Sequence, residues 1–348
     1  MRLSELTTLR LGGPAERYLE ATTEEEVVEA VREDGPLLIL AGGSNVVVAD
    51  EGFAGTVLRV ATRGVARDGT TLEVAAGEDW DALVASCVAE GLAGVECLAG
   101  IPGSVGATPI QNVGAYGQEV AETIVAVRVL DRVRGSVEEL PPAACRFTYR
   151  SSAFKREPGR WVVLAVRFAL GASELSAPIR YAELARALGV ELGDRAPLAE
   201  VRDAVLALRR RKGMVLDACD PDTFSAGSFF TNPILDADAW AALQARVNER
   251  LGPEVHPPSW PEADGRMKTS AAWLIERAGF HRGHGDPDGI AISTKHTLAL
   301  TNRGAGTTAQ LVALAREIAG GVREAFGVDL VPEPVFVGHE WAPVRPSR

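Results

Sequence analysis

Residues 99–119, AGIPGSVGATPIQNVGAYGQE, place Gly100, Gly103, Gly106, Gly114 and Gly117 in one stretch. So much glycine marks a loop rather than a regular element. A second glycine loop, 41-AGGSN-45, directly follows the apolar strand candidate LLIL at 37–40. A backbone without Cβ atoms can turn its N–H groups inward and approach a diphosphate closely. Ser44, Ser104 and Thr108 are hydroxyls that can bond the same anion. Candidate cofactor contacts are therefore Gly42, Gly43, Ser44 and Asn45 in the first loop. In the second they are Gly100, Gly103, Ser104, Gly106, Asn112, Gly114 and Tyr116. Neither loop fits the fingerprint G-x-G-x-x-G or the phosphate loop ending in Gly-Lys-Ser/Thr. Either loop alone reads equally well as structural turns; the pair favours a dinucleotide in an uncommon cradle.

Composition narrows the classes further. A chain of 348 residues is too long for one ordinary core and suggests two or three domains. Its net charge of −11 argues against nucleic acid and against an anionic membrane surface as partners. The local exception is 209-RRRK-212, at the end of a helical pattern where cations suit the helix dipole. No apolar run reaches the length of a membrane span, and the N-terminus has no signal-peptide core. Cys87, Cys97, Cys145 and Cys219 are widely and irregularly spaced, as reduced thiols of a cytoplasmic protein would be.

The hydrophobic pattern predicts an α+β protein. Strand candidates are 37–40, 56–60, 71–77, 123–131 and 161–170, with a helix at 80–92. Helical periodicity returns at 197–212, 237–252, 271–280 and 307–327, with strands between 290 and 302. The expected division is 1–170 with a split near 65, a linker or inserted segment at 171–198, and a C-terminal α+β domain at 199–340.

Two further strings carry chemistry. In 227-GSFFTNP-233, Ser228 stands between a glycine and two phenylalanines; there is no G-x-S-x-G elbow and no histidine within twenty residues to act as its base. In the run HRGHGDPDG, His281, His284 and Asp286 have ligand types, but the glycine-rich run reads as an exposed loop and no metal is expected.

The strings AGGSNVVV, GIPGSVGATPIQNVGAYGQE, YRSSAFK, GSFFTNP, PEADGRMKTSAAWLIE and PEPVFVG, in this order, resemble the UDP-N-acetylenolpyruvoylglucosamine reductase family. The resemblance runs from LTTLRLGGPAE to Gly338. It implies a flavoenzyme of peptidoglycan precursor synthesis. Its N-terminal half would be a two-subdomain FAD-binding domain of the vanillyl-alcohol-oxidase (PCMH) type, followed by a smaller α+β substrate-binding domain. The flavin would be held noncovalently, since no histidine precedes His256. NADPH would be the co-substrate, and a nucleotide sugar the small-molecule partner. A monomer is expected.

The resemblance also implies roles. Arg150 matches a catalytic arginine whose planar guanidinium suits a carboxylate. Ser228 matches a proton donor, which makes a histidine base unnecessary. Glu333 matches a catalytic glutamate; here Pro334 follows it, where the family often has valine, and Glu340 is the alternative. Lys212, Tyr181 and Trp260 match substrate contacts, and Tyr116 a position near flavin and substrate. Tyr181 places the chain in the subclass with a mobile tyrosine-bearing segment. Asn232 could orient substrate and Lys268 could pair with its diphosphate. Two other readings remain open here: another FAD-dependent oxidoreductase of the same fold, or a nonenzymatic nucleotide-binding relative.

Overall fold

A computed structural model describes residues 1–341. The chain forms two compact units, each discontinuous in sequence. One comprises residues 15–43 and 54–215; the other comprises, among the described residues, 1–14, 44–53 and 216–341.

The first unit contains two sheets. In a three-stranded sheet, Ala15–Ala21 and Leu37–Leu40 flank Phe53–Val60, and Leu37–Leu40 runs parallel to it. The helix Glu24–Arg32 between these strands starts with a capping box, Thr23 with Glu26. A five-stranded antiparallel sheet follows, ordered Ser136–Leu140, Ile124–Asp131, Trp161–Ala169, Thr71–Ala75, Val65–Asp68. Trp161–Ala169 is central and nearly continuously apolar, so most of its residues are buried. Trp80 begins the helix Trp80–Ala89 and is buried; its indole N–H donates to the Leu98 carbonyl at 3.1 Å. That bond pins the chain just before the second glycine loop.

The stretch read as a linker or insertion carries a helix, Ala182–Leu188, with Leu184 and Ala185 in the same apolar core. The helix Leu198–Arg211 adds Val201, Val205, Leu206 and Leu208 to that core. Cys87, Cys97 and Cys145 are buried here. Burial pushes the Cys87 and Cys97 thiols up to about 12 and Cys145 to about 11, away from reactive thiolate chemistry.

The second unit is built on the helix Thr308–Phe326. Leu311, Ala315, Ile318, Val322 and Phe326 recur every three or four residues and are all buried. They pack with Leu243 and Val247 of helix Ala237–Leu251, and with Leu274 and Ile275 of helix Ala271–Arg277. Thr307 and Gln310 form a capping box at the start of the long helix, and the Asp50 carboxylate accepts from Thr308 N at 2.8 Å. The hairpin Ile290–Ile292/Leu300–Asn302 and the parallel pair Val46–Val48/Val335–Val337 complete the framework of the site. No helix among the described residues is long and apolar enough to cross a membrane.

Candidate active site

The glycine loops meet within the first unit. A Cβ built on Gly42 would lie 2.6 Å from Gly103 Cα, and one on Gly106 would lie 2.5 Å from Ala76 Cβ. Both positions need glycine on space alone. Gly100 and Gly103 have φ of 70° and 130°. The Gly100 N–H donates to Asp81 at 2.7 Å, while the Gly103 carbonyl accepts from Trp80 N at 3.1 Å. Ser104 is buried, and its hydroxyl has no hydrogen-bond partner.

The second loop continues into a strained cluster. Among the described residues, five non-glycine residues have positive φ, and three of them are Asn112, Tyr116 and Arg150. Such strain persists only where the surroundings enforce it, and functional sites often do. The Asn112 amide donates to Glu119 at 2.6 Å and to the Thr148 carbonyl at 3.2 Å, and its oxygen accepts from Ala121 N at 3.1 Å. Its side chain therefore braces the loop. Arg150 sits in a tight turn closed by paired bonds between Thr148 and Ser151, and donates to the Gly114 carbonyl at 2.6 Å. Tyr116 meets Tyr181 edge-on at 5.4 Å, and the Lys212 ammonium lies 5.9 Å from the Tyr116 ring centroid. Lys212 also pairs with Glu183 at 2.6 Å. Burial pushes the Tyr116 phenol up to about 12, so it stays protonated and keeps its donor. Tyr181 is exposed.

In the second unit, Ser228 is held by its neighbours' backbone. Gly227 has φ of 73°, and Phe229 and Phe230 are almost fully buried. Phe229 N donates to the Leu298 carbonyl at 2.7 Å, and Glu333 N donates to the Phe229 carbonyl at 2.8 Å. Ser228 is thus fixed on a segment lying between the 290–302 hairpin and the C-terminal segment that carries Glu333. The Asn232 amide oxygen accepts from Ala271 N at 3.0 Å, which caps the helix Ala271–Arg277. Trp260 pairs with Lys268 across two short strands, and Lys268 holds Glu262 at 2.7 Å. Trp260 is exposed. Ser44 and Asn45 also belong to this unit, where the Asn45 carbonyl accepts from Val335 N at 2.9 Å. His284 contacts Glu317 at 3.0 Å and meets Phe280 edge-on. Among the described residues, no group of three metal-ligating side chains converges.

Against this geometry stand the relatives. A family profile described as UDP-N-acetylenolpyruvoylglucosamine reductase, C-terminal domain, matches residues 220–337. A profile described as FAD binding domain matches residues 15–141. The reductase of that name from Streptomyces coelicolor is 63% identical over 97% of this chain and 89% of its own length. The chain belongs to the UDP-N-acetylenolpyruvoylglucosamine reductase family. A Thermobifida fusca member is 59% identical, covering 97% of this chain and 96% of its own. The crystal structure of the Thermus caldophilus reductase aligns with a TM-score of 0.67 at 27% identity, covering 97% of both chains.

As a member of this family, the chain is an oxidoreductase that uses FAD. The observed cradle fits such a cofactor. It presents an unpartnered buried Ser104 hydroxyl beside glycines whose Cβ positions are blocked.

Two neighbours of this family's motif residues escaped the sequence reading. The run 209-RRRK-212 suggested only charges at a helix end, yet Arg209 is half-buried, its guanidinium donating to the Met214 carbonyl at 2.9 Å. Burial lowers its guanidinium to about 10, and it is still a cation near neutral pH. Its Nε has no partner, and the Gly100 Cβ position lies 3.4 Å from it. The second concerns the expectation that Ser228 lacks a nearby histidine. His296 Nε2 lies 3.5 Å from Ser228 Oγ. The hairpin turn brings it there across 68 residues, a distance no local motif can bridge.

Proposed function

We propose that the protein reduces the enolpyruvyl group of UDP-N-acetylglucosamine-enolpyruvate, giving UDP-N-acetylmuramate for peptidoglycan precursor synthesis, with NADPH as the electron donor. The support is family membership at up to 63% identity over nearly the whole chain. The single structural observation that carries it is that Ser228 directly precedes Phe229, whose backbone bonds both Leu298 and Glu333.

Bound FAD supplies hydride chemistry that no side chain here possesses. The protein's own tasks are binding, charge neutralisation and proton donation. The substrate carboxylate makes the double bond electrophilic only if the charge that develops on it is stabilised. Arg150 is assigned that task, and its restrained turn limits the entropy lost on binding. Ser228 donates its hydroxyl proton to the substrate carbon. Glu333, whose backbone is tied to Phe229, stabilises the same intermediate. Lys212, Tyr181, Asn232, Trp260 and Lys268 are assigned to substrate. Gly42, Gly43, Ser44, Asn45, Gly100, Gly103, Ser104, Gly106, Asn112, Gly114 and Tyr116 are assigned to FAD or to the shape of its loops.

We assign FAD binding to 1–170, substrate binding to 199–340, and a connecting role to 171–198. The reading extends to a cytoplasmic monomer. Steady-state turnover of the enolpyruvyl nucleotide, with Ser228→Ala alongside, tests the function. A yellow Ser228→Ala protein that has lost turnover is the expected result. A wild-type flavoprotein that leaves this substrate untouched would transfer the reading to another oxidoreductase of the same fold.

A further inference from the structure

Proton donation by Ser228 leaves an oxygen anion at its Oγ. Ser228 is half-buried and directly precedes the buried Phe229 and Phe230, and an alkoxide there must regain a proton before the next turnover. His296 is within hydrogen-bond reach, with Nε2 at 3.5 Å. Histidine can change charge near neutral pH, which a hydroxyl cannot.

The turn that carries His296 is built to stay in place. Ser293 is fully buried, and its hydroxyl accepts from Lys295 N at 3.0 Å and from His296 N at 3.3 Å. The His296 carbonyl accepts from Ala299 N at 3.1 Å. Asp222 accepts from Thr294 N at 2.8 Å and pairs with Arg303 at 3.2 Å, anchoring both sides of the hairpin. Leu298 then holds Phe229 by a 2.7 Å backbone bond. The histidine and the serine are therefore fixed to one hairpin, one from its turn and one across its edge.

We propose that His296 is the proton-relay residue behind Ser228, recharging the serine hydroxyl after each donation. The proposal rests on Ser228 being the donor. In the step, the Ser228 O–H bond breaks as a C–H bond forms at the substrate carbon. The resulting alkoxide takes the proton from protonated Nε2 of His296. The neutral imidazole then takes a proton from water, and no further oxidant or reductant is needed. His296 acts through Ser228 and so positions and supplies the proton without being assigned contact with the reacting carbon.

Charged groups also lie on the surrounding elements: Lys295 beside it, Asp220 and Asp222 near the 221–223 turn, Arg303 after the hairpin, Glu276 on helix Ala271–Arg277, and Glu333. A hydrogen bond to Asp220 raises Lys295. Burial pushes Asp222 up, but its bonds from Thr294 outweigh this and leave it lowered. Neither changes charge near neutrality.

The test uses the full-length FAD-loaded protein and compares wild type with His296→Gln and Ser228→Ala. Gln keeps an amide near Nε2 but carries no titrating proton. Expected for His296→Gln are normal FAD content, normal bleaching by NADPH, and reoxidation by substrate slowed on the order of 10²-fold. Its pH profile should lose the break that wild type shows between roughly pH 5 and 8. Independently of turnover, the His296 imidazole nitrogen resonance, assigned by its disappearance in His296→Gln, should shift in Ser228→Ala. If His296→Gln fails to load FAD, the pH break in wild type and the resonance shift in Ser228→Ala still decide. A wild-type rate and profile in His296→Gln, with Ser228→Ala inactive, overturns the relay alone. Full activity in Ser228→Ala overturns the reading of Ser228 as donor.

Discussion

Arg150 shows how much a single residue can be asked to do. Its backbone lies at φ 51°, unusual outside glycine, and a guanidinium N–H is committed to the Gly114 carbonyl. A lysine has no second arm to hold that carbonyl and a substrate carboxylate together. Arg150→Lys should keep its FAD and lose about 10²- to 10³-fold in kcat/KM for the enolpyruvyl substrate. Stopped-flow and steady-state assays on the yellow variant check this, and an unchanged kcat/KM would remove Arg150 from the site. The residue types around it were readable in the motif strings, as were the Ser228 and Glu333 candidates. The left-handed backbone of Arg150 and Tyr116 was not, because positive φ in such residues is imposed by the folded loop rather than preferred by the sequence. His296 was equally hidden, since only the hairpin's tertiary pairing brings it to Ser228.

At the scale of elements, the glycine loops make a steric prediction. An alanine methyl at position 42 would approach Gly103 Cα to 2.6 Å, closer than real carbon contacts allow. Gly42→Ala should therefore separate the loops and give purified protein with a markedly lower ratio of flavin to protein absorbance. Undiminished flavin content in that variant would remove the loops from the cofactor site. The 290–302 hairpin makes a second prediction through Asp222. Burial opposes its ionisation, but bonds from Thr294 and the nearby Arg303 leave its carboxyl lowered. A lowered carboxyl stabilises the fold above its unfolded value of about 3.9 and loses that contribution as pH falls through the folded value. Asp222→Asn should cost about 1–3 kcal/mol at pH 7 in denaturant unfolding, and the gap from wild type should narrow below about pH 4. A constant gap across that range would mean the charge is not what stabilises the hairpin. The long helices were legible because their apolar residues repeat every three or four positions, as from Leu311 to Phe326. The pairing of Val335–Val337 with Val46–Val48 was not, because three-residue strands nearly 300 residues apart leave no local pattern.

At the scale of the whole molecule, cofactor and fold are linked by mass action. A ligand that binds only the folded protein stabilises it by about 2.7 kcal/mol when free at 100 times its Kd. Melting the FAD-depleted protein with increasing FAD should raise its Tm progressively, and no change would contradict a folded-state FAD site. The acidic balance of −11 argued against a nucleic-acid binder, and the resemblance carried by the strings spread along the chain implied a flavoenzyme with a nucleotide-sugar substrate. What the strings could not convey is that residues 1–14 and 44–53 pack with the chain after 216, a consequence of long-range contacts alone. The most direct test of the central claim is anaerobic mixing of the yellow protein, first with NADPH and then with UDP-N-acetylglucosamine-enolpyruvate, following flavin absorbance. The account predicts bleaching in the first step and full return of the oxidised spectrum in the second, with UDP-N-acetylmuramate formed in equal amount. A flavin that stays bleached when the nucleotide sugar is added would contradict it.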